Sequence, residues 1–257
     1  MAVLFCLYNT GMIITYHRPK TLDEALTLLK QPNRMPLGGG TLLSKPTGDP
    51  VEVVDLQSLG LDSITKSGNN LQVGANVTLQ QLLEYEHCPD ALKAAIKLEA
   101  PLNLRNAATV AGTLVSCDGR SPFATVMLAL DTKLEIRAAE GDTQASNIGE
   151  FLPIRPQGLI TSISLPLNIR LAFEYVSRTP ADKPIVCVAL ARWNSGRARL
   201  SLGGYGNNPL LAMDGTEAQG VEAAARNAFH EAADEYASAE YRMDVAATLA
   251  KRCLERL

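Results

Sequence analysis

Apolar residues at Leu22, Ala25, Leu26 and Leu29 recur at helical spacing, and Thr21 stands three positions before Glu24, the arrangement of a capping box. A short helix is predicted there. The β-branched run Val51-Glu52-Val53-Val54-Asp55 predicts a buried strand. Gly68-Asn69-Asn70 is a turn signal, and Leu71-Gln72-Val73 after it alternates as a half-buried hairpin strand does. A second capping pair, Thr78 and Gln81, opens a predicted helix over 78–86 with Leu79, Leu82 and Leu83 facing inward. A third helix follows over 89–99, with Leu92, Ala95 and Ile96 as its buried stripe. Ser121-Pro122 starts another, because serine caps free N–H groups and proline at the first helical position already has the required φ. Strands are predicted over 133–136 and 159–165.

From Leu171 the texture changes. Three strand candidates, over 171–177, 185–193 and 197–202, are separated by turn signals between Pro180 and Pro184 and at Asn194-Ser195-Gly196, which predicts an antiparallel meander. Two alanine-rich helices are expected over 216–233 and 238–256, the second with Tyr241, Val245 and Leu249 on one face. Strands followed by helices, without βαβ alternation, argue for a separate α+β domain beyond a tight joint at Pro166. The apolar residues 1–11 read as an N-terminal extension that lacks the basic start of a secretion signal and is too short to span a bilayer, so that Met12 is an alternative start.

Composition narrows the functions available to this chain of 257 residues. A formal charge of -3 leaves no basic surface for phosphates along a nucleic acid, so none is expected as a partner. No apolar run reaches membrane length. The cysteines, Cys6, Cys88, Cys117, Cys187 and Cys253, are scattered and never spaced C-x-x-C, which predicts free thiols in a cytoplasmic protein and neither a disulfide framework nor a cysteine-held cluster. The dispersed His17, His87 and His230 suggest no metal site.

The candidate chemistry lies in two small-residue loops, Gly38-Gly39-Gly40-Thr41 and Thr109-Val110-Ala111-Gly112-Thr113. Successive glycines remove every Cβ, so a ligand can approach the main chain and backbone N–H groups can point at phosphate oxygens, while Thr41 adds a hydroxyl. Two such loops suggest two cradles closing on one pyrophosphate, and hence a dinucleotide. Neither G-x-x-x-x-G-K-[ST] nor G-x-G-x-x-G is present at the glycine run, which argues against a P-loop or Rossmann site.

Further motifs surround these loops: Tyr16-His17-Arg18-Pro19, Leu104-Arg105-Asn106-Ala107-Ala108-Thr109-Val110-Ala111-Gly112-Thr113, Phe173-Glu174-Tyr175-Val176, Leu202-Gly203-Gly204 and Ser238-Ala239-Glu240-Tyr241-Arg242. From about Met12 to Leu257 the chain resembles the FAD-binding subunit of molybdenum hydroxylases, a family that includes carbon monoxide dehydrogenase and xanthine dehydrogenase. The resemblance implies an α+β architecture: an FAD-binding fold of the vanillyl-alcohol-oxidase type in two subdomains, over 12–60 and 61–167, and a CO-dehydrogenase-flavoprotein-like domain over 168–257. It implies FAD as cofactor, held by Leu37, Gly38, Gly39, Gly40, Thr41 and Leu42, by Thr109, Val110, Ala111, Gly112 and Thr113, and by Asp118. It implies an oxidoreductase subunit in a hetero-oligomer, receiving electrons from an iron-sulfur subunit and a molybdopterin-binding large subunit and passing them to an external acceptor. No catalytic acid or base is assigned, because the flavin carries the redox chemistry.

The chain departs from the family pattern at Leu42, Ala111 and Thr113, and Pro122 stands where relatives carry a flavin-contacting Asp. These departures motivate an alternative, a flavin-free scaffold subunit that keeps the fold. A stand-alone flavin oxidoreductase is a third reading.

Overall fold

The computed structural model describes residues 13–43, 50–138 and 141–257, and the N-terminal extension over 1–11 lies outside the described residues. The chain is α+β and is built on three sheets. The first is small and parallel. It comprises β1 (Ile13–His17), β2 (Arg34–Leu37) and β3 (Val51–Asp55) in the order β1-β3-β2, with α1 (Leu22–Leu29) crossing between β1 and β2. Val54 on the central strand packs with Ala25 and Leu26 of α1, so the helix covers one face. Thr21 caps α1 through Glu24 N–H, but Glu24 reaches back to the Lys20 N–H and not to Thr21, so only half of the predicted capping box forms.

The second sheet is antiparallel and orders five strands as β4-β5-β8-β6-β7. They are β4 (Ile64–Ser67), β5 (Asn70–Gly74), β6 (Lys133–Arg137), β7 (Thr143–Asn147) and β8 (Leu159–Pro166). Between β5 and β6 run α2 (Leu79–Glu84), α3 (Asp90–Glu99), α4 (Leu102–Arg105), α5 (Val110–Ser116) and α6 (Pro122–Ala129), and α7 (Ile148–Ile154) follows β7. The predicted Thr78–Gln81 capping box is complete, with both reciprocal bonds made. Every residue of α6 is buried. A helix that is apolar all round has no solvent face to offer, and α6 accordingly lies in the middle of the molecule.

The third sheet is the expected meander with one more strand: β9 (Ile169–Val176), β10 (Val186–Trp193), β11 (Ala198–Gly203) and β12 (Leu210–Gly215), in the order β12-β11-β10-β9. On β10, Cys187, Ala189 and Ala191 join the core around α6, while Val186, Val188 and Leu190 join a second core under α8 (Val221–Ala228) and α9 (Ala239–Glu255). A strand buried on both faces reads as an unbroken apolar run, and Val186-Cys187-Val188-Ala189-Leu190-Ala191 is one.

Two expectations for this region need correction. The helix expected over 216–233 is the shorter α8, which starts only after the left-handed Gly220 (φ 84°) and ends at Ala228; before it, Leu210 to Gly215 extends the sheet as β12. On α9 the buried face is Arg242, Ala246, Leu249, Ala250 and Cys253, and Tyr241 is 45% exposed. Leu249 is buried as expected, but the first turns of the stripe shift by one residue because Arg242, the largest fully buried side chain, is drawn inward by acceptors. Its guanidinium donates to the Ala232 carbonyl (2.6 Å), the Ala237 carbonyl (3.1 Å), Ile185 (3.3 Å) and the Asp234 carboxylate (2.7 Å). Apolar periodicity does not register an arginine whose charge is met inside the core.

The third sheet is fastened to the second unit through the loop after α5. Gly119 N–H donates to Gly206 O (2.9 Å), and Gly204 N–H donates to Gly119 O (2.7 Å). A Cβ on Gly119 would lie 1.9 Å from the Tyr205 carbonyl, so this approach requires glycine. Arg120 donates to the carbonyls of Lys183 and Pro184 and lies 4.0 Å from the centre of the Tyr236 ring. Cys88, Cys117, Cys187 and Cys253 are free thiols, and burial pushes those of Cys88, Cys187 and Cys253 up to about 12. Among the described residues no helix is long and apolar enough to cross a membrane.

Glu99 closes α3 and is buried against the start of α6. Its Oε2 accepts from the Ser121 hydroxyl (2.6 Å) and the Phe123 N–H (3.1 Å), with Lys183 Nζ 3.9 Å from Oε1. Burial pushes its carboxyl above the ordinary range, against the pull of Lys183 and of those two hydrogen bonds, while Asp118 adds to the rise. The folded chain therefore binds this proton more tightly than the unfolded chain, so the stability it contributes is complete below the ordinary carboxylate range and is lost as pH rises through the folded value. Glu99→Gln is expected to flatten that fall, which one proton limits to about 1.4 kcal/mol per pH unit, in urea midpoints measured from about pH 4 to about 8. Equal slopes in the two proteins would refute this. Arg242→Met, which strands several buried carbonyls, is expected to cost about 3 kcal/mol by chemical denaturation.

Candidate functional site

The first glycine loop leaves the end of β2, where Leu56 N–H donates to the Leu37 carbonyl (3.0 Å) and pins the strand to the exit of β3. Gly38, Gly39, Gly40 and Thr41 follow and are half-buried. The second small-residue stretch is less a loop than a helix start. Thr109 is the N-cap of α5, and its neighbours around Thr78 hold it to the entrance of α2.

The two segments touch. A Cβ on Gly39 would lie 1.6 Å from the Ala107 carbonyl oxygen, and one on Gly38 would lie 3.1 Å from Thr109 Oγ1. The missing side chains thus serve first to let one main chain rest on the other. Between the two segments lies a cleft of about 270 Å3, walled also by Met35, Leu56, Ala75, Asn76, Val115 and residues Gly158 to Ile160.

The segments contribute unequally. At the start of α5 the N–H groups are already committed: Val110 to the Val77 carbonyl (2.8 Å), Ala111 to Ala75 (3.3 Å), Gly112 to Thr109 Oγ1 (3.1 Å) and Thr113 to the Thr109 carbonyl (2.9 Å). On the first loop, Gly38, Gly39, Thr41 and Leu42 donate no hydrogen bond from the main chain among the described residues, and the Thr41 hydroxyl forms none. Half-buried N–H groups without partners need an acceptor. These donors, together with the Thr41 hydroxyl, fit the phosphate oxygens of a dinucleotide.

Of the residues singled out from sequence, Gly38, Gly39, Gly40, Thr41, Leu42, Thr109, Ala111 and Gly112 line the cleft together. Leu37 lies beneath the loop. Val110 is fully buried in the core. Thr113 is buried too, its hydroxyl donating to the Thr109 carbonyl (2.8 Å). Asp118 is exposed and accepts from Arg120 N–H (3.0 Å) and Lys183 Nζ (3.4 Å), at the joint with the third sheet and away from the cleft lining. Pro122 is likewise absent from the lining; it is the buried first residue of α6.

Sequence reasoning did not identify Asn76. Its Nδ2 donates to the Leu56 carbonyl (2.6 Å), tying the first sheet to the second on the floor of the cleft. A single asparagine after a strand carries only a turn signal. No described residue of the lining has an ionisable side chain. The described lining can therefore bind through backbone dipoles, hydroxyls and apolar contact, and it contributes no ionisable acid or base.

Residues 11–168 match the family model described as the FAD binding domain in molybdopterin dehydrogenase. The carbon monoxide dehydrogenase medium chain of Afipia carboxidovorans is 26% identical, over 94% of this chain and 95% of its own length. The putative xanthine dehydrogenase FAD-binding subunit of Escherichia coli K12 is 33% identical over 138 residues, covering 49% of this chain and 47% of that protein. A crystal structure of the Cu,Mo-CO dehydrogenase contains a chain that superposes with a TM-score of 0.80 at 25% identity, covering 94% of this chain and 96% of that one. The glycine cleft lies inside the matched region, and the chain belongs to the family of the FAD binding domain in molybdopterin dehydrogenase, an FAD-binding subunit of an oxidoreductase.

Proposed function

We propose that this chain holds FAD across the cleft between the units over 12–60 and 61–167, and serves as the electron-transfer subunit of a molybdopterin-containing dehydrogenase. The observation that carries this reading is the meeting of Gly38–Thr41 with Thr109–Gly112 around one cleft, where the N–H groups of Gly38, Gly39 and Thr41 have no partner among the described residues. Gly38, Gly39 and Thr41 hold the pyrophosphate, and α5 contributes shape and the exposed Val115 as an apolar cover. About 270 Å3 lies below the roughly 300–1,000 Å3 of pockets that enclose a whole ligand, so the loops grip the middle of an elongated cofactor. Bound FAD supplies the capacity to take up and release electrons. The protein's part is to bind and orient it.

The partners in this reading are an iron-sulfur subunit and a molybdopterin-binding large subunit, which feed electrons to this chain before they pass to an external acceptor. Support comes from relatives named as medium chains and subunits. The free thiols fit a reducing, cytoplasmic setting. Pro122 and Thr113 lie outside the cleft lining, and the two departures that do line it, Leu42 and Ala111, are compatible with binding through the main chain, which favours the flavin reading over a flavin-free scaffold.

The complex purified from its native operon is expected to be yellow, with close to one FAD per copy of this chain. A colourless complex that takes up no FAD on reconstitution would overturn the reading. Gly39→Ala forces the two segments apart at a cost of about 2 kcal/mol, which is roughly a thirtyfold loss of FAD affinity. Asp118→Asn leaves FAD binding unchanged. In the Gly39→Ala complex the iron-sulfur centres are still reduced by substrate, but transfer to the external acceptor falls with the FAD content.

A further inference from the structure

A second, larger cleft of about 460 Å3 lies where the end of α6 and the start of α7 meet β11 and β12, and the flavin reading does not use it. Its walls are aliphatic, formed by Leu128, Leu152, Pro153, Leu210 and Leu211. Two of the lining residues each carry a buried polar atom with no hydrogen-bonding partner among the described residues: Nε of Arg199 and Oδ1 of Asn208. Arg199 as a whole is only 5% exposed. An unmet buried donor or acceptor costs about 1–3 kcal/mol, so each calls for a group to meet it.

The charge of Arg199 is already spent. Its Nη1 lies 2.5 Å from Asp214 and 3.2 Å from Asp131, and its Nη2 donates to the Leu128 carbonyl (3.2 Å). Arg197 shares both carboxylates, so two guanidinium groups face two carboxylates and leave no excess cation. The exposed Glu150 at the rim adds a negative charge. An anion therefore finds no positive potential here, and a cation finds one amide oxygen. What remains is one N–H donor and one carbonyl acceptor between aliphatic walls.

We propose that this cleft binds an uncharged secondary amide carried on an aliphatic group, its carbonyl accepting from Arg199 Nε–H and its N–H donating to Asn208 Oδ1. A peptide main chain beside a leucine-like side chain has this chemistry, and so does a small lactam. Among the described residues β12 pairs only with β11 and forms the edge of its sheet, which gives a peptide further main-chain groups to reach.

The Arg199 Nε–H signal of the 15N-labelled full chain reports on this directly by NMR. Titration with N-methylisovaleramide is expected to shift it saturably, whereas isovalerate, the same aliphatic group on a carboxylate, leaves it in place. N,N-Dimethylisovaleramide has no N–H and is expected to bind about tenfold more weakly; Asn208→Leu, which spares the arginine–aspartate network, is expected to have the same effect. Tighter binding of a capped tri-leucine marks a polypeptide as the natural source, and tighter binding of 2-piperidone marks a small molecule. Absence of a shift up to the solubility of every probe, or equal binding of the secondary amide, the dimethylamide and isovalerate, would overturn the proposal and leave the two atoms to water.

Discussion

The structure depends on burying one helix that has no polar face. Because α6 is apolar on every side, something must cover all of it: α3 and α7 lie against it on one flank and β10 and β11 on the other. Its polar ends are met from both directions. Ser121 and Glu99 satisfy the N-terminal N–H groups, while the Ser201 hydroxyl donates to the Thr125 carbonyl (2.6 Å) and Arg199 reaches the Leu128 carbonyl. These contacts come from elements far apart in sequence, so a single helix makes the second and third sheets one body. Leaving its terminal groups unmet in that position would cost what the apolar burial contributes.

The cleft proposed for the cofactor follows from a second close approach. Gly39 rests on the main chain at Ala107, and Asn76 ties the floor of the cleft to the exit of β3. Glycines usually read as room for a ligand here act first as room for protein. That contact sets the distance between the two segments, and the distance decides whether the N–H groups of Gly38, Gly39 and Thr41 face a cleft or open solvent. Binding and folding are thus joined at Gly39. The start of α5, with its donors spent on Val77, Ala75 and Thr109, acts as a rigid wall against which the glycine loop is held.

The departures from the family pattern acquire different weights once they are placed. Pro122 and Asp118 sit at the joint between the second and third sheets, where the start of α6 and the 183–206 region meet. Thr113 has turned its hydroxyl onto its own helix. Of the changed positions, only Leu42 and Ala111 face the cleft, and both can leave backbone-mediated binding intact.

Local signals were legible in the sequence wherever local energetics decide. Capping at Thr78 and Ser121, the hairpin at Gly68, the meander and the two small-residue segments depend on neighbours within a few residues, and the pattern carries them. The stripe of α9 was misread because Arg242 is buried by acceptors that only the fold assembles, and β12 was missed because its exposed Leu210 and Leu211 lack the alternation of a half-buried strand. Which of the candidate residues share one cleft, which donors are free within it, and that Asn76 forms its floor depended on contacts between segments tens of residues apart. Sequence alone determined the kinds of element, the family and the two segments proposed to hold the cofactor. Tertiary structure alone decided which of their polar groups remain available, because a hydrogen bond already made inside the protein cannot be offered to a ligand.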